Sequence, residues 1–253
     1  MTTLAEAATL FPGGTSVSRL EVYPWEAPDG LAGGTPHLHT ACSEAYVVLE
    51  GRGRVQTLSA DGFRETRLTK SSVVWFDPGV IHRLVNDGGL RLLVVMQNSG
   101  LPEAGDAVMT FPADDIVDRD RYLAAATLPS ARAGATTASI ESAARQRQAR
   151  AVHGFTALRA AVESRGPGAL EPLYAAARSI VAPRLDAWRE IWATGAADAA
   201  DRTDTFISAM AAGHSGHLAA ARLETRSAPD AHAYGMCGYL NVYDFASRPA
   251  GVD

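Results

Sequence analysis

Four residues stand out for the chemistry they can do together. His37 and His39 are one residue apart in PHLHTACSEAYVVLEG, Glu44 follows five positions after His39, and His82 lies in IHRLVN. Positions i and i+2 of a strand project to one face, so His37 and His39 point the same way. A neutral imidazole is a common metal ligand, and a carboxylate can complete such a site. Glu44 has the wrong parity to share an unbroken strand with the histidines. A turn or bulge in Thr40-Ala41-Cys42-Ser43 must re-aim the chain before Glu44 can join them. Three imidazoles and a carboxylate buried without a common partner are expensive to desolvate. The set His37, His39, Glu44 and His82 therefore reads as the ligands of one divalent transition metal: Mn, Fe, Ni, Co, Cu or Zn. The competing reading is strands that carry histidines for packing. The isolated His153, His214, His217 and His232 take that reading.

The elements that must position these residues change character near residue 125. Before it lie about eight short segments rich in β-branched and aromatic residues, among them TSVSRLEVYP, EAYVVLEG, SSVVWFDP and LRLLVVMQN. They are separated by turn signals such as DG, PG and DGG, the spacing of a sandwich, jelly roll or barrel. After it, alanine and other helix formers dominate. Residues 139–164 put Val152, Phe155, Leu158 and Val162 on one helical face. Residues 169–195 read as helix interrupted at Pro183, and 201–212 as a further helix. Residues 129–138 look like a linker, and 238–245 like a final strand. The expected organisation is a mainly β half over 1–125 and an α-helical half over 126–253.

Strand parity also proposes pocket neighbours. If Glu44 points inward, so do Tyr46 and Val48. Tyr46 is a candidate catalytic proton donor, and its alternative is a packed aromatic with a satisfied hydroxyl. Arg54, Gln56, Arg91 and Gln97 lie on strands whose faces the sequence leaves open; the surface is their expected place. Asn86 reads as structural, Cys42 as an inert thiol in the presumed turn. Trp188 and Trp192 share a helix face and are expected to pack on the β half or on a second subunit. The Gly/Pro-rich stretch 26–36 is either a lid over the site or a connecting loop.

The composition narrows the partners. The chain has 253 residues, 47% of them hydrophobic and 20% charged, with a net charge of -5. There is no basic run to meet nucleic acid and no apolar run long enough for a membrane helix. Two distant cysteines suit a reducing compartment, and a cytoplasmic location is expected.

HLHTACSEAYVVLEG resembles the first motif of the cupin superfamily at His37, His39, Glu44 and Gly51. DPGVIHRLVN resembles the second at Gly79, His82 and Asn86. Two elements are displaced: Leu31 stands where the first motif has its leading glycine, and Pro78 sits one place late. The resemblance covers about residues 15–100. It implies a cupin jelly-roll β-barrel in which the four side chains bind one metal, and it extends to a small-molecule substrate and a homodimer. Open metal positions accept a bidentate hydroxy-ketone, enediol or α-oxygenated acid. The first expectation is an isomerase, epimerase or lyase acting on a sugar or hydroxy-ketone. The alternatives are a dioxygenase using Fe, Ni or Cu, and a non-enzymatic sensor module.

Overall fold

The computed structural model describes residues 11–245. Its N-terminal half is an antiparallel β-sheet of jelly-roll type, and helices make up most of the rest. The strands are β1 (Ser16–Val22), β2 (His37–His39), β3 (Glu44–Ser59), β4 (Gly62–Thr69), β5 (Val73–Phe76), β6 (Ile81–Met96), β7 (Ala107–Met109), β8 (Ala233–Tyr234) and β9 (Gly238–Val242). Their order is β4-β3-β6-β1-β9-β8, with β5 on β3 and β2 between β6 and β7. The helices are α1 (Ala113–Ile116), α2 (Arg119–Ala126), α3 (Thr137–Arg165), α4 (Glu171–Val181), α5 (Leu185–Trp192), α6 (Asp198–Ala211) and α7 (Gly216–Ala219). No helix among the described residues is long and apolar enough to cross a membrane.

Two strands run further than their glycines suggest. Gly51 and Gly88–Gly89 read as breaks, yet β3 and β6 each continue through them for 16 residues. Their pairing shifts register between Val48 and Gly53, which is a bulge and not an end. Gly51 has φ 74°, and a Cβ there would lie 2.1 Å from the Gly89 carbonyl oxygen. Glycine alone lets the two backbones pass so closely.

The helical half is fastened to the sheet by α3. Thr136 caps it, its hydroxyl accepting the Ser139 N–H at 3.2 Å. Val152, Phe155 and Val162 are buried and Leu158 packs against them, so the expected apolar face is the docking face. At Gly154 the helix meets the chain after β7 so tightly that a Cβ would lie 2.0 Å from the Thr110 carbonyl oxygen. The Thr110 hydroxyl donates to the Ala151 carbonyl at 2.9 Å. The stretch 129–138 is less of a linker than expected, since it holds a short turn and the start of α3. Pro183 separates α4 from α5 as its missing N–H predicts. Trp188 is buried and donates to the Ala104 carbonyl at 3.3 Å. Trp192, expected to pack with it, is 52% exposed.

The chain then returns to the sheet. β8 and β9 form a hairpin that adds to β1, pairing Ser18 with Val242, Leu20 with Leu240 and Val22 with Gly238. Buried Arg147 of α3 donates to the Gly235 carbonyl at 2.6 Å, and the Tyr23 hydroxyl donates to the same oxygen at 2.9 Å. Two donors from separate elements thus hold the hairpin bend in place.

Candidate metal centre

The four candidate ligands come together from three strands, β2, β3 and β6. His37 of β2 is directly opposite His82 of β6, and Glu44 is the first residue of β3. The parity conflict between His39 and Glu44 is resolved by a turn over residues 40–43 wrapped around one carboxylate. Asp106 accepts the backbone N–H groups of Thr40 at 2.9 Å, Ala41 at 2.7 Å and Cys42 at 3.2 Å, and the Thr40 hydroxyl at 2.7 Å. Its side chain also accepts from His39 Nδ1 at 3.1 Å. One fully buried aspartate therefore shapes the turn and aims a histidine.

The hydrogen-bond partners identify the tautomers. His37 Nδ1 faces the Thr35 carbonyl at 2.8 Å, and His82 Nδ1 faces the Val80 carbonyl at 3.0 Å. Carbonyls and carboxylates only accept, so all three Nδ1 atoms carry the proton. In the neutral rings the three Nε2 atoms are then bare lone pairs. They converge with Glu44: its Oε2 is 3.0 Å from His82 Nε2 and 3.3 Å from His39 Nε2, and His82 Nε2 is 3.1 Å from His37 Nε2. All four atoms lie within 4.8 Å of one another. Buried His39 Nε2 and Glu44 Oε2 have no hydrogen-bond partner. A cation among the four would satisfy every one of these acceptors. Three nitrogens and one oxygen are a borderline set that fits a divalent transition metal, so the residues present suit such an ion.

The electrostatics agree with a site built to hold positive charge. Burial, then the neighbouring His82 and His39, hold His37 well below the ordinary imidazole value. Burial works against charge on His39 too, but the hydrogen bond to Asp106 and the nearby Glu44 carboxylate outweigh it and raise its pKa to about 9. Burial opposes ionisation of Glu44, and the neighbouring imidazoles of His82 and His39 overcome it, keeping the carboxyl well below its usual range.

The other sequence candidates fall outside this cluster. Tyr46 is fully buried with its hydroxyl 3.9 Å from Cys237 Sγ. Burial, Cys237 and Glu44 push its phenol well above 10, so it stays protonated. The Phe76 ring is tilted against the His82 ring with centroids 4.2 Å apart, while Trp75 is 74% exposed on the opposite face of β5. Arg54 pairs with Glu65 and Asp87, and Arg91 with Glu50. Gln56, expected at the surface, is buried and donates to Glu65 at 3.0 Å. Asn86 is structural: its amide donates to the Val22 carbonyl and accepts from Gly88 and Leu90. Burial and Asp106 push the buried Cys42 thiol up, in line with inertness.

The stretch 26–36 is a fastened loop, which removes the lid reading. Fully buried Arg83 binds Asp29 and donates to the Gly34 and Leu31 carbonyls at 3.2 and 3.1 Å. None of the loop's residues lines the cavity above the ligands. That cavity, of about 170 Å³, is bordered by His37, His39 and Glu44, by β1 and β6, by Pro102 and Glu103, and by the C-terminal hairpin. The final strand expected over 238–245 is present as β9; Asp106 and the hairpin's place at the cavity are the parts that sequence reasoning missed. Asp106 sits in a short polar stretch with no periodicity, and nothing in the tail indicates which strand it joins.

A cupin domain family model matches residues 25–96. No curated protein matches the chain. Among solved structures, a sugar 3,4-ketoisomerase from Thermoanaerobacterium thermosaccharolyticum in complex with TDP is similar at 17% identity and a TM-score of 0.30, over 36% of this chain and 64% of that one. A conserved protein with a double-stranded β-helix domain from Klebsiella pneumoniae is similar at 16% identity and a TM-score of 0.29, over 36% and 70%. A predicted oxalate decarboxylase from Thermotoga maritima is similar at 22% identity and a TM-score of 0.27, over 32% and 64%. The family match spans the strands that carry all four candidate ligands, and residues 25–96 are what this chain shares with the cupin domain model.

Proposed function

We propose that the chain is a metal-dependent enzyme acting on a small oxygenated metabolite, in the isomerase or lyase manner of proton transfer next to a carbonyl. The observation that carries this reading is the convergence of three imidazole nitrogens and a Glu44 carboxylate oxygen within 4.8 Å, with two of the four atoms buried and unpartnered. His37, His39, Glu44 and His82 would hold one divalent transition metal. Such an ion, when bound, supplies Lewis acidity to a substrate carbonyl.

The remaining work falls to this chain's own groups. Asp106 keeps the proton of His39 on Nδ1 and so keeps Nε2 available. Tyr46 is a buried neutral hydroxyl whose partner is the Cys237 thiol. The apolar cavity walls keep bulk water from the ligand cluster. Glu103, exposed at the cavity mouth, is the carboxylate lining it outside the ligand set. It is the group available to exchange a proton between substrate and solvent.

Elemental analysis of the purified chain tests the reading, followed by product analysis of hydroxy-ketones with and without oxygen. One equivalent of metal and oxygen-independent turnover is the expected result. Turnover that requires dioxygen would exclude the isomerase or lyase assignment.

A further inference from the structure

The cavity above the ligands sorts its walls by chemistry. Leu20, Val94, Met96, Met236, Leu240 and Val242 make most of it apolar. Among the described residues no lysine or arginine lines it. Outside the ligands and Glu103, its polar side chains are two serines on β1. Ser16 and Ser18 occupy inward positions of that strand and are only 5% and 7% exposed. Among the described residues neither hydroxyl has a hydrogen-bond partner. Neither oxygen is among the fully buried unpaired polar atoms, so both are open to the cavity, where a ligand oxygen can meet them.

The sheet register says where that partner must reach. Glu44, Met96 and Ser16 form one row across β3, β6 and β1, and Tyr46, Val94 and Ser18 form the next. Ser16 is thus two strand spacings from Glu44, roughly 10 Å along the sheet, with the Met96 side chain between them. Val242 and Leu240 of β9 continue the Ser18 and Leu20 rows.

We infer that this site takes an uncharged, mainly apolar hydroxy-ketone with a single hydrogen-bonding oxygen at its far end. The hydroxy-ketone head sits at the ligand cluster, the hydrocarbon body lies over Met96 and Val94, and the distal oxygen meets Ser16 and Ser18. The assignment rests on the metal-enzyme reading above. A sugar would press several hydroxyls against leucine, valine and methionine with no partners. A phosphate or nucleoside diphosphate would find no cationic side chain to pair with.

Titration calorimetry on the full chain loaded with zinc tests this with four probes. They are butyl hydroxymethyl ketone, its counterpart with a terminal hydroxyl on the butyl chain, D-fructose and dihydroxyacetone phosphate. The terminal hydroxyl should tighten binding about tenfold. The double variant Ser16→Ala/Ser18→Ala should lose that gain while still binding the plain ketone. Fructose or the phosphate binding as tightly as the plain ketone would overturn the inference. So would a terminal-hydroxyl gain that survives in the double variant. Zinc at one per chain without these preferences sinks the substrate assignment alone; failure to take up zinc sinks the metal reading with it.

Discussion

The two sides of the ligand cluster are oriented in different ways. On one side, His37 and His82 each point Nδ1 at the carbonyl two residues earlier in their own chain segment, Thr35 and Val80. On the other, His39 is aimed by the Asp106 carboxylate, 67 residues away in sequence. The first arrangement is local and follows from backbone geometry just before a strand. The second is long-range and couples the site to a turn, because the same carboxylate gathers the N–H groups of residues 40–42. Local orientation needs no particular side chain as partner. Long-range orientation makes one buried aspartate answer for both a ligand and the chain path between two ligands.

This contrast can be broken from either side. The largest effect is expected for His37→Ala or His82→Ala, which should each abolish stoichiometric metal by elemental analysis while far-UV circular dichroism stays native-like. Unchanged metal content in both variants would refute the ligand assignment. Next comes Asp106→Asn, which should weaken metal binding about 10- to 100-fold in a chelator competition. It should also lower the melting temperature, since the amide offers the turn one acceptor oxygen where the carboxylate offers two. Wild-type affinity in Asp106→Asn would show that His39 needs its partner no more than His37 does. A smaller effect is expected for Thr40→Val, which removes one hydrogen bond to Asp106 at 2.7 Å. It should destabilise the fold by about 1 kcal/mol in chemical denaturation.

The smallest effect is a pH dependence confined to the metal-free protein. His39 is raised from 6.5 to about 9 by Asp106 and Glu44, against the pull of burial. A raised imidazole stabilises the fold fully below its unfolded value of 6.5, and that contribution is lost as pH climbs through about 9. Denaturation of metal-free protein should therefore show falling stability over this window. The metal-loaded protein, with His39 already deprotonated, should not show this trend.

The same contrast explains how much of the molecule was legible beforehand. His37, His39, Glu44 and His82 announce themselves because strand parity and spacing are local properties. The turn between His39 and Glu44 was demanded by parity alone. Its organiser was not visible, since an isolated aspartate carries no periodic signal and its contacts close only in three dimensions. β3 and β6 were each read as two strands because a glycine signals a break, whereas opposed glycines at Gly51 and Gly89 permit a bulge. Ser16 and Ser18 alternate plainly in TSVSRLEV, but alternation does not say which face meets a cavity. The helix face of Val152, Phe155 and Val162 was legible for the reason that failed elsewhere: its period is internal to one element.

The C-terminal hairpin gives the order of synthesis a role. All four candidate ligands precede residue 83 in the chain, while Met236, Leu240 and Val242, which wall the cavity, are made more than 150 residues later. During translation the ligand cluster therefore passes through a stage with one side exposed to the surrounding solution. The addition of β9 to β1 turns an open dish into a chamber.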